Sequence, residues 1–277
     1  MFLILNFLLC LSSMYCSQNF YSHTRYNPQI TTQQPITHTE SSQKCIKNPV
    51  IKVFMYHYVR EDDPHDAPVT HSLSVTPKNF DSHMKIVSAL AKQKKISLMT
   101  GEDFEKAMEN NCFPSAKIWI FTADDGWIDT FTDLAPIAEK YQIPFIFGII
   151  SSKTNHKAFV NSEQIKKLSD NPLFTIASHT MTHQPLNRVS EKIEKSEICQ
   201  SKKDLEKIVQ KPVNLFIYPM GKIGKNSEKF LKECGYSLAW STNFGKNFDW
   251  NHPNFYNMNR VRVDHDTGPR FFENHAK

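Results

Sequence analysis

From residue 50 onward the chain repeats one pattern: a short apolar run, a stretch with helical periodicity, then another apolar run. Strands that alternate with helices pair in parallel, because a helix-length crossover returns each strand to the same end of the sheet. The apolar runs predict strands at 50–57, 96–99, 117–123, 143–150, 173–178, 213–218, 236–241 and 258–263. Helical spacing predicts helices near 77–93, 102–109, 127–141, 162–169, 188–210 and 226–234. In helix 188–210, Val189, Ile193, Leu205 and Ile208 build one apolar face, with Lys and Glu elsewhere. These units suit an α/β fold, a distorted (β/α) barrel of about seven parallel strands with outer helices, better than an open doubly wound sheet. Such a barrel gathers its chemistry at the carboxyl ends of its strands, and His57, Asp124, Asp125, His179 and Tyr218 each stand at the end of a predicted strand.

A hydrophobic fraction of 40%, with 20 Phe among 277 residues, is enough for a sizeable core. The net charge of +5 is spread along the chain without a basic block or interleaved aromatics, so nucleic acid is not an indicated partner. Residues 1–16 are apolar, uncharged and too short to span a bilayer, which reads as a signal peptide or membrane anchor and places the protein outside the cell, in the periplasm or at the envelope. Residues 17–48, rich in Ser, Thr, Gln and Asn, read as a disordered tether, leaving 49–277 as the folded domain. Cys10 and Cys16 fall in the leader. Cys45, Cys112, Cys199 and Cys234 contain no CxxC pair and permit two disulfides in an exported protein, with Cys45–Cys112 and Cys199–Cys234 the favoured pairing and four buried free thiols the alternative.

The apolar run 118–122 ends in Asp124-Asp125-Gly126, and a later one ends in His179-Thr180-Met181-Thr182-His183. One carboxylate and two imidazoles can hold a metal ion, and a second carboxylate is left for proton transfer. On a turn of helix His179 and His183 would share a face. A helix N-cap before residues 127–141 would explain one of the two aspartates at most. No Gly-x-Ser-x-Gly elbow is present, which disfavours a serine hydrolase. His65, His71, His156 and His252 read as surface or loop residues, and nothing in their spacing completes a second metal site.

These motifs resemble those of the polysaccharide deacetylases, carbohydrate esterase family 4, with its NodB-homology domain, over about Ile51 to Val263. Thr122-Ala123-Asp124-Asp125-Gly126 is similar to the family's first motif, and His179-Thr180-Met181-Thr182-His183 to its second. Tyr56-His57-Tyr58-Val59, Tyr218-Pro219-Met220-Gly221 and the lead Ser74-Val75-Thr76-Pro77-Lys78-Asn79-Phe80 look closest to the branch that acts on poly-N-acetylglucosamine. The resemblance implies metal ligands Asp125, His179 and His183, Asp124 as general base, and a backbone N–H at Tyr218 for the oxyanion. Zinc suits that donor set, with cobalt or nickel as substitutes.

An acid must protonate the departing amine, and His57 is the expected one, with His265 in Val263-Asp264-His265 as competitor. The chain departs from the family pattern at Ala123, where an aromatic is usual. It also lacks an Arg-x-Pro-Tyr motif, so Arg260 or Arg262 must partner Asp124, and its late motif is reduced to Asp249-Trp250. Trp127 and Trp250 are the expected sugar-stacking residues, with a place in the core as the equal alternative for either. The implied activity is removal of N-acetyl groups from an exported N-acetylglucosamine polysaccharide. An O-acetyl esterase and a silent glycan-binding barrel are the alternatives.

Overall fold

The structure, a computed structural model, describes residues 45–242 and 247–277. In chain order the strands are β1 Val50–Tyr56, β2 Tyr58–Val59, β3 Ser74–Val75, β4 Ser97–Leu98, β5 Lys117–Ala123, β6 Phe145–Ile149, β7 Phe174–Ser178, β8 Leu215–Ile217, β9 Leu238–Trp240 and β10 Val261–Arg262. The α-helices are α1 Pro68–Leu73, α2 Pro77–Lys92, α3 Gly101–Asn110, α4 Ala135–Tyr141, α5 Ser162–Asp170, α6 Glu191–Val209, α7 Ser227–Glu233 and α8 Arg270–Ala276. The main sheet runs β10-β1-β5-β6-β7-β8-β9, with β4 also on β5, and its pairings are parallel. It curves into a half-barrel surrounded by helices, the distorted (β/α) barrel that the sequence pattern predicts. Strands β2 and β3 pair apart from it.

Side-chain alternation along the strands separates two cores. Ile51, Val53, Ile118, Ile120, Ile146, Ala177, Leu215, Ile217, Leu238 and Trp240 pack together on the inner face, joined by Phe104 and Met108 of α3. The residues between them, including Phe54, Tyr56, Trp119, Phe121, Phe145, Phe147 and Ile176, face outward under the helices. Helix α2 answers them with Phe80, Met84 and Val87 at helical spacing. Its start is set by Pro77 at the first turn and by Thr76, whose side chain accepts the Asn79 N–H; such a cap contributes about 1 kcal/mol.

Both edges of the sheet meet one segment. Met258 bridges Trp240 on β9, and Val261 and Arg262 pair with Phe54 and Met55 on β1. The residues from Met258 to Arg262 therefore cross the gap between the first and last strands, and Arg260 sits in the middle of the crossing.

Three local expectations change. The helix predicted over 127–141 is helical from residue 128, but Trp127 bridges Phe159 and the Ile128 N–H donates to the Ala158 carbonyl, so its first turn is tied to the loop before α5. A π-helical turn, Thr130–Leu134, then leads into α4, so neither aspartate caps a helix. On α6 the buried side is Glu194, Glu197, Ile198, Ser201, Leu205 and Val209, while Ile193 is 42% exposed and Val189 precedes the helix. That face sits partly on polar loop ends, which select glutamates where a sheet would select apolar side chains. Finally, Ile46 pairs with Phe113, so the folded unit includes residues that the sequence pattern assigns to the tether. Residues 1–16, and the tether up to residue 44, lie outside the described residues. The disulfides are Cys45–Cys112 and Cys199–Cys234, the favoured pairing, with Cα separations of 5.0 and 5.5 Å.

Candidate active site

Strand parity carries the chemistry inward. Ile118, Ile120 and Thr122 put Asp124 on the inner side of β5; Thr175 and Ala177 do the same for His179 after β7, and Ile51, Val53 and Met55 for His57 after β1. Asp125 would point outward by the same count. Its φ of +73°, followed by Gly126 at +72°, turns the chain so that both neighbouring carboxylates face the rim. A left-handed conformation costs a non-glycine residue roughly 1–2 kcal/mol, a strain typical of functional sites.

Asp125 Oδ1 lies 3.3 Å from His179 Nε2 and 3.3 Å from His183 Nε2. It is buried and makes no well-formed hydrogen bond, whereas Oδ2 accepts from Trp127 Nε1 at 2.9 Å. His179 Nδ1 lies 2.8 Å from the Ile217 carbonyl, so that nitrogen carries the proton and Nε2 keeps its lone pair. One free carboxylate oxygen and two imidazole nitrogens thus converge, which fits a divalent metal of the zinc type. Burial pushes the Asp125 carboxyl up, and the surrounding imidazoles outweigh it and hold it well below the usual carboxylate range. Burial holds His183 down at about 4, so its ring is neutral and able to ligate at neutral pH.

The two imidazoles do not share a helical face. Residues 179–183 form a loop in which Thr180 and His183 have φ of +65° and +67°. Glu197, fully buried on α6, shapes this loop: its carboxylate accepts the Thr182 N–H at 2.7 Å and the Thr182 hydroxyl, and its carbonyl accepts the Met181 N–H. Sequence reading passed over Glu197, although Glu194 and Glu197 occupy the helical positions that continue to Ile198, Ser201 and Leu205.

Asp124 is 2% exposed and gripped at both oxygens by Arg260, at 2.7 Å each. Arg260 also donates to Thr122 Oγ1 and to the Ser241 carbonyl, both at 3.0 Å. Burial raises the Asp124 carboxyl, the Arg260 charge more than offsets it, and the group remains ionised at neutral pH. Arg262, the other expected partner, instead donates to Ser72 Oγ and pairs with Asp264. His57 Nε2 stands 3.9 Å from Asp124 Oδ2, and its buried Nδ1 has no partner. Burial lowers the His57 pKa against the pull of Asp124 and Asp125.

The remaining expected residues divide. Trp127 is at the rim, stacked between Tyr58 at 4.7 Å and Phe159 at 4.2 Å. Trp250 is not: its Nε1 donates to the Pro49 carbonyl ahead of β1, and it packs on Phe113 and Phe248, at the amino end of the strands. The Tyr218 N–H is already bonded to the Trp240 carbonyl at 3.0 Å, so it cannot serve as the oxyanion donor; the buried Tyr218 side chain packs on Phe216. His265 contacts Ser74, Asp62 and His71 rather than the rim carboxylates.

A parallel β/α barrel with an ionised aspartate, a neutral histidine and an Asp-His-His cluster on one rim defines a hydrolase class. The sequence model of the polysaccharide deacetylase family matches residues 113–239. YxkH of Bacillus subtilis (strain 168), whose name classes it with the polysaccharide deacetylases, is 27% identical over 238 residues, 84% of this chain and 78% of that protein. A polysaccharide deacetylase from Bacillus cereus superposes with a TM-score of 0.70 at 27% identity, covering 82% of this chain and 69% of that one. The Streptococcus pyogenes deacetylase PplD in complex with acetate superposes at 0.73 and 23% identity, covering 82% and 98%. The chain is thus similar to the polysaccharide deacetylases, in sequence over residues 113–239 and in fold over most of its described length.

Proposed function

We propose that this protein is a metal-dependent N-deacetylase acting on N-acetylglucosamine units of an exported or cell-envelope polysaccharide. The observation that carries this reading is the pairing of two differently prepared carboxylates: Asp125 has one unpartnered buried oxygen between two imidazoles, and Asp124 is locked by Arg260. Asp125, His179 and His183 would hold the metal, which when bound polarises the acetyl carbonyl and acidifies water. Asp124, ionised and fixed in orientation, takes the proton of the attacking water. His57, neutral at rest because of its burial, stands 3.9 Å away to receive a proton and deliver it to the departing amine nitrogen. Trp127 is sandwiched in the Tyr58–Trp127–Phe159 stack, so the stack as a whole, rather than a free face of Trp127, gives a sugar an aromatic surface at the rim.

Support for an exported setting comes from the two disulfides, which belong to an oxidising compartment. The similar proteins are named as deacetylases, and an acetylated glycan is the substrate class that matches those names. Acetate release from N-acetylglucosamine oligomers, measured before chelation, after it and with zinc restored, tests the reading. Asp124→Asn should keep its zinc and lose turnover by about 10²–10⁴-fold. Release unaffected by chelation, or hydrolysis confined to O-acetyl esters, would overturn it.

A further inference from the structure

A second group of metal-ligating side chains lies apart from Asp124 and Asp125. Asp62 comes from the chain after β2, His71 from α1 and His265 from the turn after β10, and one ligand atom of each lies within 4.8 Å of the other two. His265 Nδ1 is 3.5 Å from Asp62 Oδ1, and the His71 and His265 rings face each other with centroids 4.0 Å apart. Nothing in the sequence spacing announces this group, since its members are drawn from opposite ends of the domain.

Main-chain bonds that do not involve these side chains hold the three segments in place. The His265 N–H donates to the Ser72 carbonyl at 3.0 Å, the Val263 N–H donates to Met55, and β2 pairs with β3 on either side of the excursion that carries Asp62 and His71. Arg262 Nη2 donates to Ser72 Oγ at 2.7 Å, tying the same two segments again. His265 Nδ1 also lies 3.1 Å from the Ser74 carbonyl. The Ser74 carbonyl can only accept, so Nδ1 carries the proton and Nε2 is the nitrogen left with a lone pair for a metal; the approach of Nδ1 to Asp62 is an ion-pair contact that orients the ring.

Two imidazoles and one carboxylate form a donor set for zinc and its transition-metal neighbours, whereas calcium and magnesium select oxygen. We propose that Asp62, His71 and His265 form a second divalent transition-metal site, zinc by donor preference, with its remaining coordination positions filled by solvent. A bound ion bolts the excursion between β2 and β3 to the turn that follows the closing segment of the barrel. The proposal is independent of the deacetylase reading, because it uses none of the rim residues.

The test is zinc content per chain by elemental analysis of the full chain, stripped with chelator, reloaded with zinc and desalted. The native chain should hold two equivalents, His71→Ala one, His179→Ala one and the double variant none. Asp62→Asn, at an exposed side chain, repeats the loss without disturbing packing. In the His179→Ala chain, added zinc should still raise the melting temperature, and His71→Ala should abolish that rise. A native chain with one equivalent that His179→Ala removes, or a His71→Ala chain that keeps the native content, would overturn the second site. One native equivalent lost with His71→Ala yet untouched by His179→Ala would uphold this site and defeat the assignment of the rim metal.

Discussion

Arg260 holds both oxygens of Asp124 at 2.7 Å across a sequence separation of 136 residues, with both side chains buried. Removing one partner of such a pair leaves an uncompensated buried charge, which costs about 3–5 kcal/mol. Arg260→Met should therefore lower the melting temperature and let the Asp124 carboxyl rise, moving the acid limb of the activity profile to higher pH. Asp124→Asn in the Arg260→Met background should recover part of the stability. Denaturant melts of the two single variants and the double variant decide the matter, and strict additivity would show that the pair is not coupled.

Trp127→Phe keeps the ring between Tyr58 and Phe159 but deletes the hydrogen bond to Asp125 Oδ2. Without that donor the carboxylate is free to rotate, and zinc affinity should fall about 10–100-fold with little change in stability. Competition with a chromogenic chelator measures this. An unchanged affinity would limit Trp127 to stacking.

Glu197→Ala removes the acceptor for the Thr182 N–H and hydroxyl. An unsatisfied buried N–H costs about 1–3 kcal/mol, and the loop carrying His183 loses its brace. The expected result is a folded protein with weakened zinc binding, partly rescued in Glu197→Gln, which retains an acceptor. Equal zinc affinity in all three proteins would confine Glu197 to a structural role.

Asp129 sets a pH dependence of stability. Its buried carboxyl accepts the Val59 N–H at 3.1 Å, and burial raises its pKa from 3.8 to about 7. The folded state therefore binds this proton more tightly than the unfolded state. The associated stability is present in full below the unfolded value and is lost as pH rises through the folded one. Between about pH 4 and pH 7 the native chain should lose up to about 4 kcal/mol relative to Asp129→Asn, which preserves an acceptor but does not titrate. Parallel pH dependence of the two proteins in urea melts would refute the assignment.

The barrel was legible because strand alternation and helical spacing are local periods, and the same parity delivers His57, Asp124 and His179 to the inner face. Asp125 joins them only through a positive φ, which the following Gly126 hints at but does not dictate. Other features depend on partners remote in sequence. The Tyr218 N–H is spent on Trp240, Trp250 is drawn to Pro49, and the second histidine is presented by a loop braced by Glu197 rather than by a helical turn. Short elements such as β2, β3 and α1 span too few residues for a period to register, so the cluster of Asp62, His71 and His265 was invisible for the same reason.

The strip from Met258 to Arg262 that touches both β9 and β1 also delivers the arginine that orients Asp124. A chain that ends before Arg260 would keep Asp124 but lose the guanidinium that meets both of its oxygens. The last strand-forming segment thus does two jobs at once, closing the sheet and fixing the orientation of a carboxylate laid down 136 residues earlier.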